Sequence, residues 1–187
     1  MDAAPDAPAA AAFPKPTRLE KAAWCGFDFA NSSFTTVVVT AAYPLYFKGV
    51  VVGDDARGEM LWGFANAFSL LLVIVAAPIV GAWGDLRAAK KKLLVATSLL
   101  CIVATAGLSW CGPGAVVAAW TLFALANVGF SSGENLVAGF LPELAPPEEM
   151  GRLSGLGWSV GYFGGLGSLL FARQLALNDQ ERWIPAA

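Results

Sequence analysis

Residues 60–83 read MLWGFANAFSLLLVIVAAPIVGAW and contain no charged side chain. A transmembrane helix needs about 20 mostly apolar residues, because the hydrocarbon core of a bilayer is about 30 Å thick. This stretch therefore predicts a helix that crosses a membrane. Four further stretches of similar character bring the predicted spans to five, near residues 22–47, 60–83, 93–111, 115–141 and 153–172.

The composition of the whole chain agrees with a membrane location. Of its 187 residues, 57% are hydrophobic and 14% are charged, whereas a soluble domain is about 25% charged. We therefore predict an all-α integral membrane fold. The net charge of −2 argues against a nucleic-acid partner. Because the sequence contains no histidine, imidazole-based metal sites and catalytic triads are excluded. We predict no enzymatic activity, no cofactor and no metal site.

The basic residues predict how the chain is oriented. Residues 1–19 are rich in Ala and Pro and predict a disordered tail, residues 20–172 the helical bundle, and residues 173–187 a polar C-terminal tail. On the side of the membrane that holds the N-terminus lie Lys15, Arg18, Lys21, Arg87, Lys90, Lys91, Lys92 and Arg152. The other side holds Lys48, Arg57, Arg173 and Arg182. Because basic loops stay in the cytoplasm, we predict a cytoplasmic N-terminus.

Polar side chains form a stripe on the first and on the fourth predicted span. The members of the two stripes are Asp28, Asn31, Ser32 and Thr35 on the first, and Asn127, Ser131, Glu134 and Asn135 on the fourth. Spacings of one, three and four residues place each set on one helical face. An ionised side chain at mid-bilayer costs roughly 2.5–3.5 kcal/mol on insertion scales, so such groups normally face a cavity or a partner helix.

These stripes have two interpretations. In the first, they line a pathway for a small polar solute, and Asp28 or Glu134 carries any coupling proton. In the second, they are structural, with Asp28 capping a helix, Ser and Thr bonding to their own backbone and Asn joining helices.

Glycines mark the fifth predicted span. Gly157, Gly161 and Gly165 recur every four residues, the spacing that lets two helix backbones approach closely. We predict a packing role, with a hinge as the alternative. The same ridge supports a rival function, that of a non-transporting membrane scaffold or assembly subunit.

The loop between the second and third spans reads GAWGDLRAAKKK over residues 81–92. Alone it predicts a tight turn with a basic cluster on the cytoplasmic side. Its spacing resembles the loop signature of the major facilitator superfamily, although Leu86 and Ala88 replace a usual basic residue and glycine. The resemblance implies that Asp85, Arg87, Lys90 and Lys91 form a cytoplasmic gate, and that Gly81 allows close helix packing.

Two longer stretches resemble the vacuole-effluxer-like branch of that superfamily, which includes autophagy-related vacuolar amino-acid exporters and bacterial relatives. They are FDFANS (27–32) with YPLYF (43–47), and FLPELAPPEEMGRLSG (140–155) with Trp158, Gly161 and Tyr162. The resemblance implies a secondary transporter of about twelve helices, in which two six-helix halves surround a cavity lined by the first and fourth helices of each half.

The resemblance also sets expectations about partners and location. It implies that the chain is the N-terminal part of a transporter, with the sixth helix absent, and that it needs a C-terminal half or a second copy. The expected partners are the lipid bilayer and a small polar solute, for which the resemblance suggests an amino acid. The expected location is a bacterial inner membrane.

Overall fold

The computed structural model describes residues 16–86 and 89–183, and every regular element within them is helical. The elements are α1 (Arg18–Ser33), a π-helical segment (Phe34–Ala41), α2 (Ala42–Tyr46), a second π-helical segment (Phe47–Val52), α3 (Asp55–Leu86), α4 (Lys90–Leu108), α5 (Val116–Ala138), α6 (Leu141–Leu144) and α7 (Pro147–Trp183). Four helical stretches are long and apolar enough to cross a membrane: Arg18–Val52, Asp55–Gly84, Lys90–Leu108 and Val116–Leu144. The predicted all-α membrane fold is confirmed.

The predicted fifth span, residues 153–172, lies inside α7. This helix has 37 residues, which exceeds the length that a bilayer requires. Its many glycine and serine residues lower its hydropathy, and it is not among the four stretches that meet the criterion. Its helical backbone continues to Trp183, because residues 173–183 contain no Gly or Pro. Much of the predicted polar tail is therefore helical, while the crossing of the membrane by α7 stays a prediction.

A capping box fixes where the first helix begins. The Thr17 hydroxyl accepts a hydrogen bond from the Glu20 backbone N–H at 3.2 Å, and the Thr17 backbone N–H donates to the Glu20 carboxylate at 2.7 Å. This arrangement satisfies two backbone donors of the first turn, so α1 begins at Arg18, ahead of the predicted boundary at residue 20. Residues 1–15 of the predicted tail lie outside the described residues.

Helices pack in two groups that share the first span. Helices α3 and α4 pack against α5, and α7 packs against α1. The short turn between α4 and α5 is tied to the first span. Gly114 in this turn adopts a positive φ of 81°, and its backbone N–H donates a hydrogen bond to the carbonyl of Val51 at 2.8 Å. This bond ties the α4–α5 turn to the end of the first span.

Candidate functional site

The two polar stripes meet at one hydrogen bond between α1 and α5. The Asn31 side-chain amide donates to Oε1 of Glu134 at 2.5 Å. Both side chains are half-buried. Because the two residues are 103 positions apart in the chain, only the tertiary fold brings them together.

A cavity of about 480 Å³ opens beside this bond, between α1, α5 and α7. Four of the predicted pathway residues line it, namely Asp28, Ser32, Thr35 and Glu134. Among the residues that the structure describes, none forms a hydrogen bond or an ion pair with the Asp28 carboxylate. The cavity therefore contains one carboxylate bonded to Asn31 and one carboxylate without such a partner.

Other members of the stripes point elsewhere. Asn31 lines a second, largely apolar cavity of about 590 Å³ between α1, α4, α5 and α7. Asn127 is buried, and its side-chain amide donates to the Ser69 hydroxyl of α3 at 2.9 Å. Asn135 is exposed at the border of α3, and Ser131 is half-buried but lines neither large cavity.

The stripe on α5 is thus divided between two neighbouring helices. Glu134 faces α1, whereas Asn127 serves the interhelical hydrogen-bonding role that was the alternative interpretation. The reason is geometric, because a helical face about 100° wide borders more than one neighbour in a bundle. Spacing places residues on one face, but it does not say which helix each part of that face meets.

The glycines of α7 lie against α1. A Cβ atom added to Gly161 would lie 2.7 Å from Oδ2 of Asp28 and 2.9 Å from Oγ of Ser32. At Gly157 it would meet the ring of Trp24, and at Gly165 the hydroxyl of Thr36. The glycine ridge therefore places α7 directly beside the polar stripe of the first span, and that span covers the ridge.

The structure describes only part of the predicted gate. Lys90 Nζ lies 3.2 Å from Oε1 of Glu143 and 3.4 Å from the carbonyl oxygen of Gly139, so it joins the start of α4 to the segment after α5. Lys91 lines a cavity near the start of α1. Asp85 belongs to the last turn of α3, while its side chain and all of Arg87 lie outside the description.

Close packing in this region falls on Gly84 and not on Gly81, to which the resemblance had assigned it. Within the described chain, a Cβ atom at Gly81 would meet nothing within 4 Å, whereas one at Gly84 would lie 3.3 Å from the side chain of Leu136. Gly84 is followed closely by the start of α4, since an added Cβ atom there would also lie 3.6 Å from the side chain of Lys90 and 3.7 Å from that of Leu93.

Sequence reasoning missed the aromatic wall of the cavity. Phe130 of α5 and Trp158 and Tyr162 of α7 line it. Trp158 and Tyr162 pack edge to face with ring centroids 6.2 Å apart, and they are 67% and 72% exposed. Their spacing of four residues, one position beyond Gly157 and Gly161, was the signal that could have placed them on a shared face next to the glycine ridge.

Comparisons with known proteins agree with this architecture. The profile of the Major Facilitator Superfamily matches residues 4–168. The chain is 25% identical over 167 residues to YxiO, an MFS-type transporter of Bacillus subtilis (strain 168), and the match covers 88% of this chain and 39% of the relative. The chain thus spans about two-fifths of that relative's length. No solved structure matches the chain significantly. The chain belongs to the major facilitator superfamily.

Proposed function

We propose that the chain forms the N-terminal part of a secondary transporter that moves a small polar solute by alternating access. The observation that carries this proposal is the cavity between α1, α5 and α7, in which Asp28 and Glu134 come together beside the Asn31–Glu134 hydrogen bond. Ionisable groups inside membrane-spanning helices are costly, and they normally mark a solute or proton pathway. Membership of a transporter superfamily supports the same reading.

The proposed transporter contains more than this chain. Alternating access requires two repeats that rock about a shared site near the midplane of the bilayer. The chain spans 39% of the bacterial relative, which supports a partner in the form of a C-terminal half or a second copy. On this proposal, Asp85, Arg87, Lys90 and Lys91 lock the cytoplasmic side against that partner.

The branch of the superfamily, the class of solute, the orientation and the membrane are proposed from sequence resemblance and from the distribution of basic residues. Resemblance of residues 27–32 and 140–155 to the vacuole-effluxer-like branch suggests that branch and an amino acid as solute. The excess of basic residues on one side supports a cytoplasmic N-terminus, and the bacterial relative supports an inner membrane.

The rival scaffold function is the weaker candidate because of the glycine ridge. A scaffold that binds its partner through Gly157, Gly161 and Gly165 needs that ridge to be accessible. In the described chain the first span covers it, since added Cβ atoms at these glycines would meet Trp24, Asp28 and Thr36. The ridge is therefore used within the chain.

The test is uptake of a panel of labelled amino acids and other small polar solutes by proteoliposomes that contain the complete gene product, at several pH values. We expect Asp28→Asn and Glu134→Gln to lower uptake of the transported solute by at least tenfold. Glu148→Gln is the matched control, because Glu148 is an exposed carboxylate outside the cavity. Unchanged uptake and unchanged pH dependence in both cavity variants would contradict the proposal.

A second experiment tests the need for a partner. The 187-residue chain is reconstituted alone in liposomes, and counterflow of the same solutes is measured. We expect none, because one repeat cannot alternate its exposure. Counterflow by the lone chain would show that no partner is required.

A further inference from the structure

The charged side chains that line the cavity in the described part of the chain are both negative. Of the described residues, twelve line the cavity, and the two that carry a charge are the carboxylates Asp28 and Glu134. Neither Lys nor Arg is among them, and the chain has no histidine. On the side of the cavity that this chain forms, no described lining side chain neutralises the two carboxylates, so this side favours a ligand with a positive charge.

Asp28 is the carboxylate that is free to bind a ligand. The Glu134 carboxylate already accepts a hydrogen bond from Asn31, whereas Asp28 has no hydrogen bond or ion pair with any described residue. Gly161 lies beside it, and a Cβ atom there would occupy space within 2.7 Å of its Oδ2. The absence of that side chain leaves room for the carboxylate at the wall of the cavity.

Aromatic side chains form a second part of the cavity wall. Trp158 and Tyr162 on α7 and Phe130 on α5 line the same cavity as Asp28. Ring faces attract cations through their quadrupole, and Trp is the strongest of the aromatic side chains in this respect. The edge-to-face pair of Trp158 and Tyr162, with ring centroids 6.2 Å apart, gives an organic cation both an apolar surface and a favourable electrostatic field.

We propose that this cavity selects an organic cation and binds its ammonium group between the carboxylate of Asp28 and the rings of Trp158 and Tyr162. This inference rests on the transport function proposed above. The volume of about 480 Å³ lies within the range of small-molecule sites. An ammonium group can donate up to three hydrogen bonds to a carboxylate oxygen or hydroxyl. The hydroxyl-bearing residues Ser32, Thr35 and Thr36 also line the cavity.

The proposal ranks solutes by charge. An anion would meet two carboxylates without a compensating cation. A zwitterion would place its own carboxylate in the same negative field, where this lining offers no basic side chain. A solute with an ammonium group and no free carboxylate therefore binds best. Among relatives of amino acids, these are the amides, the esters and the decarboxylated amines.

The test uses three probes that share a leucine side chain and differ in charge: leucinamide, leucine and N-acetylleucine. Their binding to the purified complete gene product is measured by isothermal titration calorimetry at pH 7. We expect leucinamide to bind at least tenfold more tightly than leucine, and N-acetylleucine not to bind. Equal binding of the three probes, or no binding of leucinamide, would overturn the proposal.

Variants on both walls of the cavity assign the site. We expect Asp28→Asn to weaken leucinamide binding at least tenfold, and Trp158→Leu to weaken it about three- to tenfold. Trp158→Phe should stay close to the wild type, because it keeps a ring. Glu148→Gln is the control outside the cavity. Trp158 is 67% exposed, so its variants test the site even if Asp28→Asn fails to fold. Unaltered binding in Trp158→Leu, or in a folded Asp28→Asn, would refute the assignment.

The two proposals fail in different ways. If leucinamide binding follows charge as stated but proteoliposomes transport no solute, the proposed function fails and the cation site stands. If proteoliposomes transport a solute whose uptake and binding are the same in Trp158→Leu and Asp28→Asn as in the wild type, transport stands and the cation site fails.

Discussion

The two halves of the first span differ in structure and in what surrounds them. The half Arg18–Ser33 is a regular α-helix, carries Asp28, Asn31 and Ser32 of the polar stripe, and packs against the glycines of α7. The half Phe34–Val52 contains two π-helical segments, which lie on either side of α2 with its Pro44. The first π-helical segment of this second half still packs against α7, while the second segment packs against α3 and α5, where Phe47 and Phe123 are fully buried.

Each half is stabilised by a different kind of contact. Around Phe47 the contacts are between large aromatic rings. The ring centroid of Trp62 lies 5.4 Å from that of Phe47 and 4.6 Å from that of Phe123. Around Asp28 the contacts depend on the absence of side chains, because α7 approaches through glycines. Proline prevents a regular helical hydrogen bond at Pro44, and a change to π-helical geometry is a common response to such interruptions. We therefore expect the largest losses of stability from truncations in the aromatic half, whereas the polar half holds the proposed solute site.

Truncation of the aromatic core should have the largest effect on stability. We expect Phe123→Ala to lower the free energy of unfolding by about 3 kcal/mol or more, since Phe123 is fully buried and the void removes its dispersion contacts with Trp62. The measurement is a denaturant titration in detergent, in which a thiol dye reacts with the buried cysteines Cys25, Cys101 and Cys111 only after unfolding.

The matched control is Phe163→Ala, because Phe163 is 70% exposed. We expect it to change stability by less than about 0.5 kcal/mol. Solute binding by Phe123→Ala, measured under conditions in which it is folded, should remain near the wild-type level. Equal destabilisation by the two variants would remove the contrast between the halves.

Substitution of an α7 glycine that packs against the polar half of the first span should have the next largest effect. A Cβ atom at Gly164 would overlap the carbonyl oxygen of Phe29 and lie 2.7 Å from its carbonyl carbon. Because backbone atoms cannot move aside as a flexible side chain can, we expect Gly164→Ala to push α7 away from α1 and to destabilise the fold by about 1–3 kcal/mol. It should also lower solute affinity, since the cavity lies between these helices. The same dye-based titration measures the first effect, and calorimetry the second.

Gly167→Ala provides the matched control on the same helix. A Cβ atom there would meet nothing within 4 Å, so we expect stability to stay within about 1 kcal/mol of the wild type. If Gly164→Ala were as stable as Gly167→Ala, the close approach of α1 and α7 would not be a feature of the protein in its membrane.

Loss of the interhelical hydrogen bond should have the smallest effect on stability. We expect Asn31→Ala to cost about 0.6–1.7 kcal/mol, the range found for hydrogen bonds between membrane helices, because the Glu134 carboxylate loses its Asn31 donor. Its effect on uptake by the complete gene product should be larger, at least tenfold, since the bond lies at the proposed pathway.

Ser33→Ala is the control for this comparison. The Ser33 hydroxyl donates to the carbonyl of Ala30 in its own helix at 2.6 Å, so its loss should leave both stability and uptake close to the wild type. Normal uptake by Asn31→Ala would separate the hydrogen bond from transport and favour the structural interpretation of the stripes.

The apolar spans and the polar positions could be read from the sequence because they depend on local properties. A run such as residues 60–83 can satisfy its backbone in lipid only as a helix, so its structure follows from composition. The spacing of Asp28, Asn31, Ser32 and Thr35 likewise fixes their common face. The helical ends were predicted less well. The start of α1 was missed although Thr17 and Glu20 have the spacing of a capping box, and α7 runs on through polar residues that do not interrupt it.

Which residues meet across helices was decided only by the tertiary structure. Asn127 and Glu134 share a face of α5 by spacing, yet one bonds to Ser69 of α3 and the other to Asn31 of α1. Periodicity determines which residues share a face of a helix. How neighbouring helices cross determines which residue of another helix each of them contacts. The sequence by itself determined that this chain is helical, apolar enough for a membrane and polar along two faces. The tertiary structure decided that the glycines of α7 bring aromatic rings and Asp28 to one cavity, because close backbone approach depends on where helices cross.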